Sequence, residues 1–331
     1  MLTMILSRAL QGVVVLLVVS ALTFTLLAAA GGDALSELGT DKATSEATVR
    51  EMRRVYGLDE PLAGRYARWL GGVVRGRMGE SFYYHAPVAS IIWPRLLRTL
   101  ALAAVALSLA LAISLVLGAL AARRVGSWWD RASEFVILLT ASTPRIVLAL
   151  VALALVARTS WFTVGGAPTE TLADFHPLRL LPPAIVLSLP LVALFLAQTR
   201  EGLRAALEQD FVRTARAKGL PERTIILRHA LRDALNPLIT IFGYSLGSVV
   251  SGSVIVETVL GWSGLGALSV NAVRTRDVPL LMGIVLVTST AVLAGNLIAD
   301  LLLRLNDPRL RYDHAATRRP TLRLPASSSG A

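Results

Sequence analysis

Cysteine is absent from the 331 residues, so no disulfide framework, thiol nucleophile or thiolate metal site can exist. Lysine is nearly absent too. Lys42 and Lys218 are the only ones, and neither follows the G-x-x-x-x-G of a phosphate-binding loop. That excludes an ATPase of the usual kind. The four histidines, His85, His176, His229 and His314, fall in separate segments without metal-ligand spacing. Gly247-Ser248 and Gly252-Ser253 lack the flanks of a G-x-S-x-G nucleophile elbow. The chain reads as neither an enzyme nor a cofactor-bearing protein. Charged residues are scarce as well, at 17% against about 25% in soluble domains.

What fills the chain instead is apolar: 54% hydrophobic residues and a mean hydropathy of +0.61. Such an excess is covered by lipid, and several runs reach the roughly 20 residues that cross a hydrocarbon core. Six spans are predicted, at about 7–30, 97–122, 134–157, 180–199, 235–258 and 280–303. Arg8, the run Ala9–Leu27 and Ala28-Ala29-Ala30-Gly31 also imitate a secretory signal. Signal cores run about 7–15 residues, and this longer run is expected to stay as a first transmembrane helix. The net charge of +11 could suggest nucleic acid, but the arginines cluster between apolar runs, as cytosolic loops do. With the N-terminus inside, the cytosolic pieces hold 18 arginines and lysines and the two short outer loops hold four, Arg158, Arg179, Arg274 and Arg276. Both termini are therefore expected in the cytosol, with no nucleic-acid partner.

The division that follows is a first helix over 1–30, an outer loop over 31–95, a core over 96–304 with a cytosolic loop at 200–234, and a tail over 305–331. The tail beyond 313, rich in Ser, Ala, Pro and Arg, is expected to be flexible. In the outer loop, Ser45 to Val55 is helix-compatible. Pro61 then opens a helix with Leu62, Tyr66, Trp69, Leu70 and Val73 on one face. Such a helix lies in the membrane interface or packs as an ordinary surface helix on other outer loops.

The most charge-dense stretch between spans runs from Asp210 to Pro237. Gly219 and Pro221 punctuate it, glycine being usual just past a helix end and proline just inside the next. Two short helices are expected, suited to docking another protein. Thr214-Ala215-Arg216-Ala217-Lys218-Gly219 resembles the coupling loop of ABC-importer permeases, in the form of the dipeptide/oligopeptide/nickel branch. Arg213 and Thr214 replace the glutamate and first alanine of the general motif. Further resemblance lies in Gly32-Asp33, Tyr56 to Pro61, Arg68-Trp69-Leu70 and Gly79-Glu80-Ser81, in the order shown by the first of the two paired permeases. Gly264-Leu265-Gly266, Arg276-Asp277-Val278-Pro279 and Asn306 to Tyr312 continue it. Arg77 and Met78 stand where an aspartate and a leucine are usual.

The resemblance implies an all-α, type I ABC-importer permease with six transmembrane helices in a bacterial plasma membrane. It would pair with a homologous second permease, two P-loop ATPase subunits or one fused ATPase, and an extracytoplasmic substrate-binding protein. Asp210, Arg213, Thr214, Ala215, Arg216, Lys218, Gly219 and Leu220 would meet the ATPase. The cargo would be di- or oligopeptides, with nickel, haem, glutathione and oligosaccharides as alternatives. A secondary transporter or channel would instead show several intramembrane carboxylates or an inverted repeat, and neither is evident. An integral scaffold or receptor docking some other cytosolic partner is the third class.

Candidates for a translocation path lie within the spans. Gly243 and Gly247 share a helical face and allow close backbone approach, toward either a path, a partner permease or a neighbouring helix. Glu257 and Asp300 are carboxylates near span ends, where snorkelling or local pairing suffices; the family context points to gating or structure. Pro144 is expected to kink the third span. Arg145 beside it would fall near mid-membrane, facing water, a neighbouring chain's carboxylate, or the carboxylate of a passing peptide.

Overall fold

The computed structural model describes residues 2–29, 60–159 and 177–306. The helix expected over 45–55, the Gly32-Asp33 and Tyr56 to Asp59 motifs, and everything past Asn306 lie outside the described residues.

In chain order the helices are α1 (Leu2–Ala29), α2 (Leu62–Val74), α3 (Val88–Ala122), α4 (Trp128–Ser142), α5 (Arg145–Val156) and α6 (Pro177–Leu207). There follow α7 (Asp210–Ala217), α8 (Leu231–Leu260), α9 (Leu265–Arg274) and α10 (Val278–Asn306). α1, α3, α6, α8 and α10 are each long and apolar enough to cross a membrane. After the arginine distribution, the end of the bundle carrying residues 208–230 is called inner and the other outer.

The third expected span, 134–157, is a broken pair. α4 and α5 meet at 101°. The cause is Pro144, whose ring disfavours helical backbone in the residue before it, and Thr143 accordingly leaves the helix with ψ 121°. The Thr143 hydroxyl donates back to the Leu139 carbonyl (2.6 Å), while the Pro144 carbonyl accepts from the Val147 and Leu148 amides. Arg145 thus stands at the first position of a 12-residue helix, not midway along a continuous one.

The core lies where α3, α6 and α8 pack together. Leu102, Phe195, Leu196 and Leu238 are buried there, and Ala106 and Ala110 bring the α3 backbone close. α3 has 35 residues, roughly 50 Å of helix, so it overruns a hydrocarbon core of about 30 Å. It begins at Val88 rather than 97, and α6 continues to Leu207 rather than 199. α1 lies at the periphery, leaving Leu10, Val14, Leu22 and Leu26 exposed, as a lipid-facing helix does. It is fastened to α10 by an Arg8–Asp300 ion pair (2.9 Å), the local pairing expected for Asp300. α2 packs on α1: the Tyr66 hydroxyl lies 2.9 Å from the Ser20 hydroxyl, and its ring tilts against Phe24 at 5.6 Å.

Candidate coupling site

The inner end is built around α7. Val212 and Ala215 are buried against Ile225 and Leu207, which pins the helix beneath α6. The chain then reverses through a left-handed turn at Gly219, φ +74°. The Gly219 amide donates to the Arg216 carbonyl (2.9 Å) and the Leu220 amide to the Ala215 carbonyl (3.3 Å), the paired bonds of a glycine-terminated helix end. Pro221 precedes one turn, Glu222–Thr224, which runs through a π-helical stretch, Ile225–Ala230, straight into α8. The expected second short helix is therefore not separate. It is the root of the fifth span, and the loop proper narrows from 200–234 to about 208–230.

Charge on this segment is only partly free. Arg216 grips Glu222 through Nη2 (2.7 Å) and Nε (3.3 Å). That hydrogen bond, and then the charge, hold the Glu222 carboxyl below its usual range. Arg216 is thus committed within the chain rather than offered whole to a partner. Arg213 makes a loose contact with Asp210 (3.5 Å), and the Thr214 hydroxyl caps the Asp210 carbonyl (3.0 Å). Arg213, Lys218, Phe211 and Leu220 remain exposed, leaving two cations and two apolar side chains at the surface of this segment.

A cluster that sequence reasoning missed fixes the helix leading into α7. Asp130, 4% exposed at the start of α4, receives Arg200 (2.9 Å) and Arg204 from α6 and accepts the Gly126 amide (2.8 Å). The signal was present. Ser127, whose hydroxyl accepts the Asp130 amide, begins an S-x-x-D helix start, and Arg200 and Arg204 are four apart on one helical face.

At the outer end, two separated motifs form one site. Asp277, fully buried, accepts the Ser81 hydroxyl and the amides of Tyr83 (3.1 Å) and Leu280 (3.1 Å). Gly79-Glu80-Ser81 and Arg276-Asp277-Val278-Pro279 are thereby the two halves of one clasp. Glu257 does not snorkel. It is fully buried between α3, α8 and α9, accepting the Thr99 hydroxyl (2.7 Å) and the Ala267 amide (3.1 Å). Gly264-Leu265-Gly266 explains itself here. A Cβ at Gly264 would lie 2.5 Å from the Glu257 carboxylate, and one at Gly266 would lie 2.6 Å from Cα of Val254.

The remaining candidates fall in two places. Gly243 and Gly247 face α10, where added Cβ atoms would collide with Ala299 and Val292; their missing side chains serve helix packing within the chain. Arg145 is half-buried and lays its guanidinium over Gly252 of α8, in space that any Cβ there would fill.

A broken-span helical bundle carrying a short anchored helix between two spans defines a type I ABC-importer permease. The description "Binding-protein-dependent transport system inner membrane component" matches residues 114–312, and its N-terminal counterpart matches 1–103. The chain belongs to this family. It is 36% identical over 314 residues to the oligopeptide transport system permease protein AppB of Bacillus subtilis, covering 93% of this chain and 99% of that one. It is also 36% identical over 318 residues to a putative peptide permease protein of Brucella suis, covering 94% and 99%. A chain of the MetNI methionine ABC transporter, solved in inward-facing conformations, shares the fold with a TM-score of 0.52 and 18% identity. The match covers 66% of this chain and 96% of that one.

Proposed function

We propose that the chain is one of two paired permeases of an ATP-driven peptide importer and that α7 is its docking element. The observation that carries this is the construction of α7. It is anchored by Val212 and Ala215, reversed at Gly219, and presents Phe211, Arg213, Lys218 and Leu220 outward beyond the spans. Closure of two ATPases would push α7, and the shared roots of α6 and α8 would carry that motion into the bundle. The peptide cargo rests on the printed names of the relatives, 36% identical over nearly their whole length.

The arrangement requires residues 200–234 and both termini in the cytosol and 31–95 outside, with an extracytoplasmic binding protein delivering substrate. Arg145, half-buried and with a guanidinium that makes no hydrogen bond or ion pair among the described residues, would meet either a partner permease's carboxylate or that of a passing peptide. The test is reconstitution with the neighbouring permease, ATPase and binding-protein genes. Peptide-stimulated ATP hydrolysis is expected, and failure of any P-loop ATPase to co-purify would overturn the reading. In the same system Arg145→Gln should depress uptake of free-carboxylate peptides more than of their C-terminal amides. Equal effects assign Arg145 to assembly.

A further inference from the structure

A cavity of about 540 Å³ opens at the outer membrane edge between α1, α2, the segment 77–82 and the start of α10. Its walls are apolar, formed chiefly by Phe24, Trp69, Phe82, Pro279 and Met282. Its polar side chains are donors apart from Glu80. Trp69 Nε1 is buried and has no hydrogen-bond acceptor among the described residues, a condition that costs free energy unless something external accepts that proton. The indole cannot easily turn away. Its ring stacks on Tyr66 at 6.0 Å, and Tyr66 is tied to Ser20 on α1.

Three arginines line the same cavity. Arg68 is engaged by Glu60. Arg65 lies over the Phe24 ring, 5.8 Å from its centroid, and its side chain makes no hydrogen bond or ion pair among the described residues. Arg77 is exposed, and its side chain makes no hydrogen bond or ion pair among the described residues. Against them stands one lining carboxylate, Glu80. On α1 the cavity is lined by Phe24.

We propose that this cavity binds an anionic phospholipid. The phosphate accepts the Trp69 indole N–H and meets Arg65 and Arg77, and an acyl chain lies along Phe24 and Met282. Cationic side chains near a membrane surface attract anionic lipid, and an indole at headgroup depth is the usual aromatic anchor. Here the indole lines a cavity rather than open interface, which turns a general preference into a defined seat. Arg77, standing where an aspartate is usual in the resembling permeases, supplies a positive charge in place of a negative one.

The full chain, purified in detergent, is titrated with dioleoylphosphatidylglycerol, with dioleoylphosphatidylcholine and with inorganic phosphate. Bound lipid is counted by native mass spectrometry and the melting midpoint is followed. One phosphatidylglycerol per chain is expected to resist delipidation and to raise the midpoint. Phosphatidylcholine should bind more weakly, and inorganic phosphate should neither bind nor compete. Trp69→Phe keeps an aromatic ring and removes the donor, and Arg77→Gln alters an exposed side chain that is unpaired among the described residues. Each should weaken phosphatidylglycerol binding by about fivefold. Undiminished binding in both variants overturns the site. Equal affinity for phosphatidylcholine overturns the charge argument, and competition by inorganic phosphate reduces the cavity to a bare anion site. If Trp69→Phe folds poorly, Arg77→Gln and Arg65→Gln decide the question alone.

Discussion

Asp277 and Glu222 are both carboxylates that join two segments of the chain, one at each end of the bundle, and they are held in opposite ways. Asp277 is fully buried and gathers three donors, from Ser81, Tyr83 and Leu280. Glu222 is half-exposed and gathers one arginine. The same contrast extends outward. Glu257 and the glycines of 264–266 lock α9 to α8 with almost no free space, whereas a Cβ at Gly219 would meet nothing within 4 Å. The outer clasp has its geometry dictated by desolvated hydrogen bonds, whereas the Gly219 turn at the inner end is set by its backbone conformation, with open space around it. The proposed coupling helix, α7, ends at that open turn.

The contrast breaks hardest at Asp277. Asp277→Ala strands a hydroxyl and two amides in a buried site, each costing about 1–3 kcal/mol, so a loss of about 3 kcal/mol or more is expected. It should appear as a large drop in melting midpoint, and a midpoint close to wild type would mean the clasp is not structural. Gly266→Ala comes next. Its Cβ would face the α8 backbone at 2.6 Å, so α9 must move, at about 1–3 kcal/mol for overpacking. Altered crosslinking between cysteines introduced on α8 and α9 checks this.

Gly219→Val acts through φ alone. A left-handed β-branched residue costs about 1–2 kcal/mol, with little change in membrane insertion but a fall in coupled ATP hydrolysis. Gly219→Asn, better suited to that backbone, should restore most of the activity. If valine and asparagine behave alike, the turn is not what the partner reads.

The smallest effect belongs to Glu222. Its folded value lies below the ordinary 4.5, chiefly through the Arg216 hydrogen bond. The pair therefore contributes above about that pH and is lost as pH falls through the lower folded value. Half-exposed and screened, it is worth well under about 1 kcal/mol. Hydrogen exchange of 212–222, corrected for intrinsic rate, should quicken below that pH in the wild type and show no such step in Glu222→Gln.

Much of this was legible before folding, because lipid imposes a length and composition that one dimension can show. The five continuous spans follow directly from apolar runs, and the Gly219 turn follows from the one residue that tolerates its φ. The break at Thr143-Pro144 was visible as a proline, but not its 101° magnitude. A missing N–H predicts a lost bond, while the angle depends on what α5 packs against. The expected second short helix failed because Pro221 looked like a fresh start, whereas packing of Ile225 and Ile226, both buried, carries the helix through into α8.

The sequence by itself determined that this is a polytopic helical permease, where its membrane-length runs lie, and which segment between them carries charge. Hydrophobic length, arginine distribution and turn residues are local quantities, and each acts on its own stretch of chain. Only the tertiary structure decided that Ser81 serves Asp277, that Thr99 serves Glu257, and that Arg200 and Arg204 converge on Asp130. Those partners are separated by 196, 158 and, for Arg204, 74 positions. A buried polar group must find its acceptor wherever folding brings one, and no local pattern records where that will be.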